Sequence, residues 1–418
     1  MKVIRSSTIK GAIAAPPSKS ATIRVIAASL LASGRSEIRN LSICDDALAA
    51  LGIVETLGAE VHIDGDHVFI TGREGIKKEH LKGRTIRCCE SGLCIRMFTP
   101  VAGLVDEELV IEGSGSLLSR PMRMVEGLKD LGAQCETANG FPPVRIKGGI
   151  NGGTLHLNGS ESSQFLTGLL MALPLCSKDS VIEVSDLKSG SYVEMTVSIL
   201  KEFGIGLSHD RYMRRFDVPG NQTYRPCVCT IEGDWSGASF MLVAGAIAGS
   251  VKVKGLAIGS SQADKAIAEV LEQAGAKVDI GNGCVSVEKD RLKGFRFDAT
   301  NCPDLFPPLV ALAASCEGKS TILGAERLKY KESNRALALA SEFAKLGIEV
   351  LLSGDSMEVK GGRIEGATVS THNDHRIAMA CAVAALNCHG EVAIDNPACV
   401  FKSYPSFFED LEVLSKVT

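Results

Sequence analysis

The hydrophobic pattern of the chain repeats six times, with a period of roughly 71 residues. Each repeat begins with a polar or charged cluster, continues with an apolar stretch of helical length, and then has a β-rich run and a second helix. The clusters contain Ser20, Gly92, Ser163, Ser236, Leu305 and Arg376. The apolar stretches are TIRVIAASLLA, CIRMFTPVAGL, QFLTGLLMALPL, ASFMLVAGAIA, FPPLVALAAS and IAMACAVAAL. Because they are apolar on all sides, they predict helices buried among sheets.

The rest of each repeat carries strand and turn signals. The runs that follow the apolar helices are rich in β-branched residues and predict strands: SEIRNLSI, EELVIEGSG, DSVIEVSDL, SVKVKGLAI, STILGAERL and EVAIDNPACV. In all but the sixth repeat the second helix is predicted to end at a glycine that adopts a left-handed conformation. These glycines are Gly58, Gly132, Gly204, Gly275 and Gly347.

The sixth repeat runs out of chain, because FFEDLEVLSK ends at residue 416 with no glycine and no following strands. Residues 1–15 read as two short strands, which would complete the sixth repeat if the termini meet. We therefore predict an α/β fold of two pseudo-symmetric domains with three repeats each. The domains are residues 1–15 together with 228–418, and residues 16–227, with hinges near Pro16 and Pro226.

Composition is consistent with such an intracellular α/β protein. The 418 residues are 45% hydrophobic and 22% charged, enough for two large cores. No apolar run predicts a transmembrane helix and no signal peptide is recognised. The 14 cysteines are dilute and many lie in apolar stretches, so we expect reduced thiols in a cytoplasmic protein. The net charge of −4 argues against nucleic-acid binding.

Basic residues gather where the apolar helices begin. Helix N-termini are already the positive end of the dipole, so added cations indicate that anions bind there. The pattern predicts a small ligand that carries phosphate, carboxylate or both; the alternative is a solvated basic rim. The cations are Lys19, Arg24, Arg96, Arg120, Lys331, Arg335 and Arg376, with His375 beside the last.

Acidic and hydroxyl residues complete the candidate chemistry, each with a structural alternative. Asp304 and Glu332 lie among these cations and could act as general base or acid, although Asp304 also suits a helix N-cap. The Ser162–Gln164 segment could seat a phosphate or cap the third apolar helix. His372 and His375 have H-x-x-H spacing, but no acidic or thiol partner is arranged to complete a metal site, so we expect none.

Ten segments in order make the chain resemble the EPSP synthases (3-phosphoshikimate 1-carboxyvinyltransferases) of the enolpyruvyl transferase family. The segments are PPSKSATIR at 16–24, SGLCIR at 91–96, SRPM at 119–122, GSESSQFL at 159–166, SGSYVEMT at 189–196, EGDWSGAS at 232–239, PDLFPP at 303–308, KESNR at 331–335, DHRIAMA at 374–380 and KSYPSF at 402–407. The resemblance implies a two-domain inside-out α/β barrel of six βαβαββ-type repeats. It also implies transfer of the enolpyruvyl group of phosphoenolpyruvate to the 5-hydroxyl of shikimate 3-phosphate, in aromatic amino acid biosynthesis, by a cytoplasmic monomer without cofactor or metal.

The resemblance also implies a role for each matching residue. Asp304 would take the proton of the 5-hydroxyl, Glu332 would protonate the methylene carbon, and Lys19 and His375 would take part in proton transfer, His375 with a purely structural alternative. Shikimate 3-phosphate would be bound by Lys19, Ser20, Arg24, Ser162, Ser163, Gln164, Ser189, Tyr192, Asp304 and Lys331. Phosphoenolpyruvate would be bound by Lys19, Gly92, Arg120, Gln164, Arg335, Arg376 and Lys402.

Two alternatives remain beside this interpretation. The enzyme that adds enolpyruvate to UDP-N-acetylglucosamine shares the sixfold fold, but it usually carries a reactive cysteine where this chain has GSGSLLSRP at 113–121. A non-catalytic six-repeat clamp on DNA would show the same period. Such a clamp should carry Lys and Arg along helix faces, whereas here the helices are apolar and the basic groups lie at their starts.

Overall fold

A computed structural model describes residues 1–160 and 163–415. The chain divides into two compact units, one of residues 19–231 and one of residues 1–18 together with 232–418. Each unit has its own hydrophobic core. In the described part of the chain, no helix has both the length and the apolar character needed to cross a bilayer.

The predicted apolar helices form, and they are buried. The described residues contain the helices α1 Lys19–Leu31, α2 Asp45–Thr56, α3 Gly92–Ala102, α4 Ser163–Ala172, α5 Gly190–Glu202, α6 Trp235–Ala248, α7 Ile267–Ala274, α8 Phe306–Ala314, α9 Arg335–Lys345, α10 His375–Ala385 and α11 Phe407–Ser415. Every residue of α3, α6, α8 and α10 is buried. Such helices have no solvent-facing side on which charge could be tolerated.

The strands of the described residues are short and belong to six small sheets. They are β1 Lys2–Arg5, β2 Ile9–Ala14, β3 Ser33–Arg39, β4 Glu60–Asp64, β5 His67–Arg73, β6 Thr85–Arg87, β7 Glu108–Glu112, β8 Gln134–Ala138, β9 Phe141–Lys147, β10 Thr154–Asn158, β11 Ser180–Ser185, β12 Ser208–His209, β13 Arg215–Val218, β14 Val228–Thr230, β15 Gly249–Lys254, β16 Lys277–Gly281, β17 Cys284–Glu288, β18 Arg296–Asp298, β19 Lys319–Leu323, β20 Glu349–Ser353, β21 Ser356–Lys360, β22 Ile364–Val369 and β23 Cys388–Ile394. The runs after the apolar helices form strands, as predicted, and each of these strands lies inside its sheet between one parallel and one antiparallel neighbour.

Only half of the prediction for the N-terminal strands is correct. β1 pairs antiparallel with β23 and completes the sheet of the sixth repeat, as expected. β2 instead pairs in parallel with β15, in the sheet of the fourth repeat. The reason is an exchange of strands: β14, which precedes α6, pairs with β3 in the sheet of the first repeat, so the fourth repeat takes β2 in its place.

The exchange sets where the chain passes between the compact units. β14 belongs to the unit of residues 19–231 because its partner β3 is there, whereas the sequence assignment had put residues from 228 onward in the other domain. The first passage follows Ser18 and the second follows Ile231.

The five predicted helix-terminating glycines all have positive φ, between 79° at Gly347 and 106° at Gly58. Only glycine adopts this conformation without a steric penalty from Cβ, so these positions end the second helix of each of the first five repeats. In the second repeat that helix is a 3-10 helix, Arg123–Leu131, with Gly132 as its C-cap.

Gly249 is the position where β2 approaches β15 most closely. Its φ is +158°, and a Cβ atom there would lie 2.0 Å from the carbonyl oxygen of Ile9. We expect Gly249→Ala to force β2 off the sheet and to lower the free energy of unfolding by about 2–3 kcal/mol. Urea unfolding measures the change. Gly281→Ala is the control in the same sheet, because its Cβ would meet nothing within 4 Å; equal stability of the two variants would contradict the pairing.

Candidate active site

Arg24 is the central cation of the unit formed by residues 19–231. It is buried within α1, where its Nε donates to Thr196 Oγ1 at 2.9 Å and its Nη1 to the Ser20 carbonyl at 2.8 Å. The Tyr192 ring centroid lies 5.9 Å from the guanidinium carbon. Burial lowers the pKa of Arg24 to about 10, against an opposing effect of Tyr192. The side chain therefore remains a cation at neutral pH and is held rigidly by polar groups.

Lys19, the first residue of α1, forms an ion pair with the start of α2. Its Nζ lies 3.0 Å from Asp46 Oδ2, and only 15% of the lysine side chain and 6% of the aspartate side chain are exposed. A buried charge is stable only when it is paired, so Asp46 fixes the position of the lysine.

Two guanidinium groups lie at the N-terminus of α3. A Cβ atom on Gly92, the first residue of the helix, would lie 2.7 Å from Arg120 Nη1 and 3.3 Å from Arg96 Nη1. Arg96 Nη1 also donates to Gln164 Oε1 at 2.9 Å. Helix N–H groups and two guanidiniums together make a site suited to a phosphate or carboxylate.

Hydroxyl groups stand at the starts of two further helices in this unit. Ser163 is the first residue of α4 and is buried. Ser189 is the N-cap of α5 with φ +55°, and it is buried as well. Arg24 lies near both helices, since Thr196 is on α5 and Thr167, 3.4 Å from its Nη2, is on α4. Ser162 lies outside the described residues.

The other unit brings three cations onto one carboxylate. Asp304 Oδ1 accepts from Arg335 Nη1 at 2.9 Å and lies 3.5 Å from Lys331 Nζ, while Asp304 Oδ2 accepts from Arg376 Nη2 at 3.2 Å. The N-cap of α8 is Leu305, so the expectation that Asp304 might simply cap that helix is wrong. We call Asp304, Lys331, Glu332, Arg335, Asp374 and Arg376 the Asp304 cluster.

The three cations decide the protonation state of Asp304. Burial by itself opposes ionisation of the carboxyl group, but Arg376, Lys331 and Arg335 together hold its pKa well below the usual range. The Asp304 side chain remains 27% exposed. Asp304 is therefore an ionised, reachable carboxylate.

Arg335 is the buried centre of this cluster. Its side chain has no exposed surface; Nε donates to Asp374 Oδ2 at 3.0 Å and Nη2 to a carboxylate oxygen of Glu332. Burial opposes the charge, yet Asp374, Glu332 and Asp304 raise the pKa of Arg335. Asp374 also accepts from the backbone N–H of Arg376 at 3.0 Å and caps α10, so one carboxylate holds both the Arg335 guanidinium and the start of the helix that carries Arg376.

Two further predicted site residues, His375 and Lys402, lie in and beside α10, respectively. His375, the first residue of α10, is buried with its Nδ1 3.8 Å from Asp374 Oδ1. Lys402 is buried at the end of the 3-10 helix Pro397–Lys402, which packs against α10. The other half of the H-x-x-H pair, His372, contacts Glu342 instead, and no group of three metal-ligating side chains occurs among the described residues.

The sequence reasoning missed the residues that position the functional ones. Asp46 and Asp374 pair with Lys19 and Arg335, and Thr167 and Thr196 hold Arg24. An acidic residue at a helix start is an available signal for both aspartates, but it is equally typical of a plain cap. The partner lies 27 residues away for Asp46 and 39 for Asp374, so sequence spacing does not reveal either pair.

Comparison with solved structures places the fold among the enolpyruvyl transferases. An EPSP synthase from Acinetobacter baumannii matches 99% of this chain and 97% of its own, with a TM-score of 0.82 and 25% identity. The enolpyruvyl transferase NikO from Streptomyces tendae matches 99% of this chain and 96% of its own, with a TM-score of 0.78 and 19% identity. The predicted fold class is thereby confirmed.

Sequence comparison identifies the family within that class. The protein-family model of EPSP synthase (3-phosphoshikimate 1-carboxyvinyltransferase) matches residues 3–411. The 3-phosphoshikimate 1-carboxyvinyltransferase of Clostridium novyi (strain NT) is 36% identical over 99% of this chain and 96% of its own length. That of Clostridium acetobutylicum is 37% identical over 98% and 96%. The chain belongs to the EPSP synthase family.

Because Gly92 has no side chain, Arg120 can lie against the N-terminus of α3, and this contact gives a test of the anion site proposed there. In Gly92→Ala the new methyl group would overlap Arg120 Nη1, and the long side chain can move aside without unfolding the protein. We expect weaker binding of phosphoenolpyruvate by about 10-fold or more, with little change in stability. Titration calorimetry measures the affinity. Gly52→Ala, in α2 with nothing within 4 Å of its Cβ, is the control; unchanged affinity in Gly92→Ala would show that Arg120 does not act at this helix start.

Proposed function

We propose that this chain transfers the enolpyruvyl group of phosphoenolpyruvate to the 5-hydroxyl of shikimate 3-phosphate, releasing inorganic phosphate. The observation that carries the proposal is the Asp304 cluster, in which an ionised, accessible carboxylate is surrounded by Lys331, Arg335 and Arg376. Family membership supports the same reaction, because the relatives bear the name of this activity. Those names also disfavour UDP-N-acetylglucosamine as the acceptor.

We assign shikimate 3-phosphate chiefly to the unit of residues 19–231. Ser162, Ser163 and Ser189 hold its phosphate, Ser20 and Arg24 meet its carboxylate side, and Gln164 and Tyr192 line the ring. Buried Arg24 supports this assignment, since a fixed planar guanidinium suits a bidentate carboxylate. Lys331 and Asp304 contact the hydroxyl edge.

Phosphoenolpyruvate is assigned to the cations at the helix starts. These are Lys19, Gly92 through its backbone, Arg120, Gln164, Arg335, Arg376 and Lys402. We propose that the two compact units are the two substrate-binding domains of the enzyme. The arginines offer forked N–H donors that fit both anionic groups of the substrate.

Substrate binding prepares Asp304 to act as a base. In the free protein the carboxylate shares Arg335, Arg376 and Lys331, which makes it a weak proton acceptor. An incoming anion competes for the same N–H donors and adds negative charge nearby, so the pKa of Asp304 rises towards the range useful for a general base.

The proton transfers then balance over two steps. The 5-hydroxyl oxygen attacks C2 of phosphoenolpyruvate while Asp304 takes the hydroxyl proton and Glu332 donates a proton to C3. Collapse of the tetrahedral intermediate breaks the C2–O bond, the departing phosphate takes up the proton held by Asp304, and C3 returns a proton to Glu332. Glu332 is bonded to Arg335 and only 11% exposed, so the reacting carbon would meet it in a water-poor environment. Lys19 and His375 assist proton transfer in this scheme.

The cellular setting is also a proposal. All 14 cysteines of the chain are free thiols, which supports a reducing compartment, and we place the enzyme in the cytoplasm. It acts on small molecules as a monomer, with no cofactor or metal.

The two carboxylates give the direct test of the reaction. Wild-type protein should release phosphate when both substrates are present, and Asp304→Ala and Glu332→Ala should each lower kcat by about 10²–10⁴. Asp279→Ala and Glu349→Ala, both exposed, serve as matched controls and should retain activity. In D₂O the wild type should also place deuterium in the product methylene, and Glu332→Ala should not. Absence of phosphate release by the wild type would refute the assignment.

Lys331 gives a prediction for how kcat/KM depends on pH. Burial lowers its pKa, only partly offset by Asp304, so it loses its proton below the pH at which an ordinary lysine does. We expect kcat/KM to fall on the alkaline side at a lower pH than an ordinary lysine would give, and Lys331→Arg to move that limb to higher pH because arginine stays protonated. A pH profile of both proteins measures the shift, whatever the absolute rate of the variant. An identical alkaline limb in both would exclude Lys331 as its source.

A further inference from the structure

A tight turn of left-handed residues leads into α10. His372 has φ +51° and Asn373 has φ +54°, directly before Asp374, the N-cap of the helix. Two consecutive non-glycine residues in this conformation are costly, and they persist only where surrounding contacts hold them. The turn therefore needs external support, and the residue that follows it is the one that holds the Arg335 guanidinium and the start of the helix that carries Arg376.

Glu342 supplies that support from inside the protein. Only 1% of its side chain is exposed, and Oε2 accepts from the backbone N–H of Ser370 at 2.8 Å. Its Oε1 lies 2.8 Å from His372 Nε2. Lys345, on the same helix, donates to Oε2 at 2.6 Å from a more exposed position. The buried Glu342 carboxylate therefore connects Ser370, at the start of the turn, with His372, which has the left-handed conformation.

Helix geometry explains why one helix can hold both ends of the turn. Glu342 lies seven residues after Arg335, two turns along α9 on the same face. Arg335 binds Asp374 at the end of the turn, and Glu342 binds Ser370 and His372 at its beginning. Asp395, after β23, adds a third attachment, accepting from Thr371 N at 2.9 Å. The turn is fixed at both ends against one rigid element.

We propose that Glu342 is a positioning residue for phosphoenolpyruvate binding, acting through the Ser370–Asn373 turn on Asp374, and through Asp374 on Arg335 and Arg376. This inference rests on the function proposed above. Glu342 touches no substrate in the scheme. Its role is to hold the turn so that the Arg335 guanidinium and the start of α10, which carries Arg376, stay where the anion arrives, and a displacement of about 1 Å at such a site is enough for a large loss of binding.

Kinetics of Glu342→Ala test the proposal. We expect KM for phosphoenolpyruvate to rise about 10- to 50-fold while KM for shikimate 3-phosphate changes less than about threefold. Glu342→Gln keeps an oxygen for the Ser370 N–H and should restore KM to within about threefold of wild type. Lys345→Met is the matched control, because it removes a partner of Glu342 without touching the turn, and it should leave KM unchanged.

A binding measurement separates this inference from the reaction itself. Inorganic phosphate, titrated calorimetrically, should bind Glu342→Ala about 10-fold more weakly than wild type whether or not turnover is detected. Failure of the wild type to turn over would refute the proposed function, whereas unchanged phosphate affinity and KM in folded Glu342→Ala would overturn the positioning role. If Glu342→Ala does not fold, His372→Ala tests the proposal instead. The His372 side chain is 38% exposed. His372→Ala should raise KM for phosphoenolpyruvate about threefold, and an unchanged value would overturn the proposal.

Discussion

A helix that is apolar on every side can carry charge only where the chain enters or leaves it, and this constraint organises both units of the protein. Each apolar helix is buried, and its charged residues lie within its first two turns, as Arg24 does in α1 and Arg96 in α3. In the first turn the backbone N–H groups are unpaired and the dipole is positive. The requirement of a dry helix interior thus leads to anion-binding groups at helix starts: Lys19 at α1, Gly92 at α3 and Arg376 at α10.

The Asp304 cluster shows how such a site can exist without substrate. Lys331, Arg335 and Arg376 are matched by an equal number of carboxylates, those of Asp304, Glu332 and Asp374. Buried cations without these partners would destabilise the fold. Two of these groups, Asp304 and Glu332, also carry the proton transfers of the proposed mechanism, so charge balance in the resting protein and acid–base chemistry share residues.

The sequence revealed the periodic parts of the structure, because burial leaves a local signature. The apolar helices, the strands after them and the left-handed glycines from Gly58 to Gly347 all follow from patterns within a few residues. The placement of β2 did not, since a six-residue strand contains nothing that distinguishes the sheet of the fourth repeat from that of the sixth. The same limit applies at the site: Asp304 and Arg335 stand out in their motifs, whereas Asp46 and Glu342 act on residues that are adjacent only after folding.

The pairing of β1 with β23 has a consequence for how the protein is made. β1 is synthesised well before its partner, Cys388–Ile394, because the paired residues Arg5 and Glu391 are 386 residues apart. At a synthesis rate of ~5–20 residues per second, the strand waits about 20–80 s for that partner. Throughout that interval its backbone edge stays open to other chains. The unit of residues 19–231 is contiguous and has been synthesised long before then, so it can fold during translation, whereas the other unit must wait until β23 has been made.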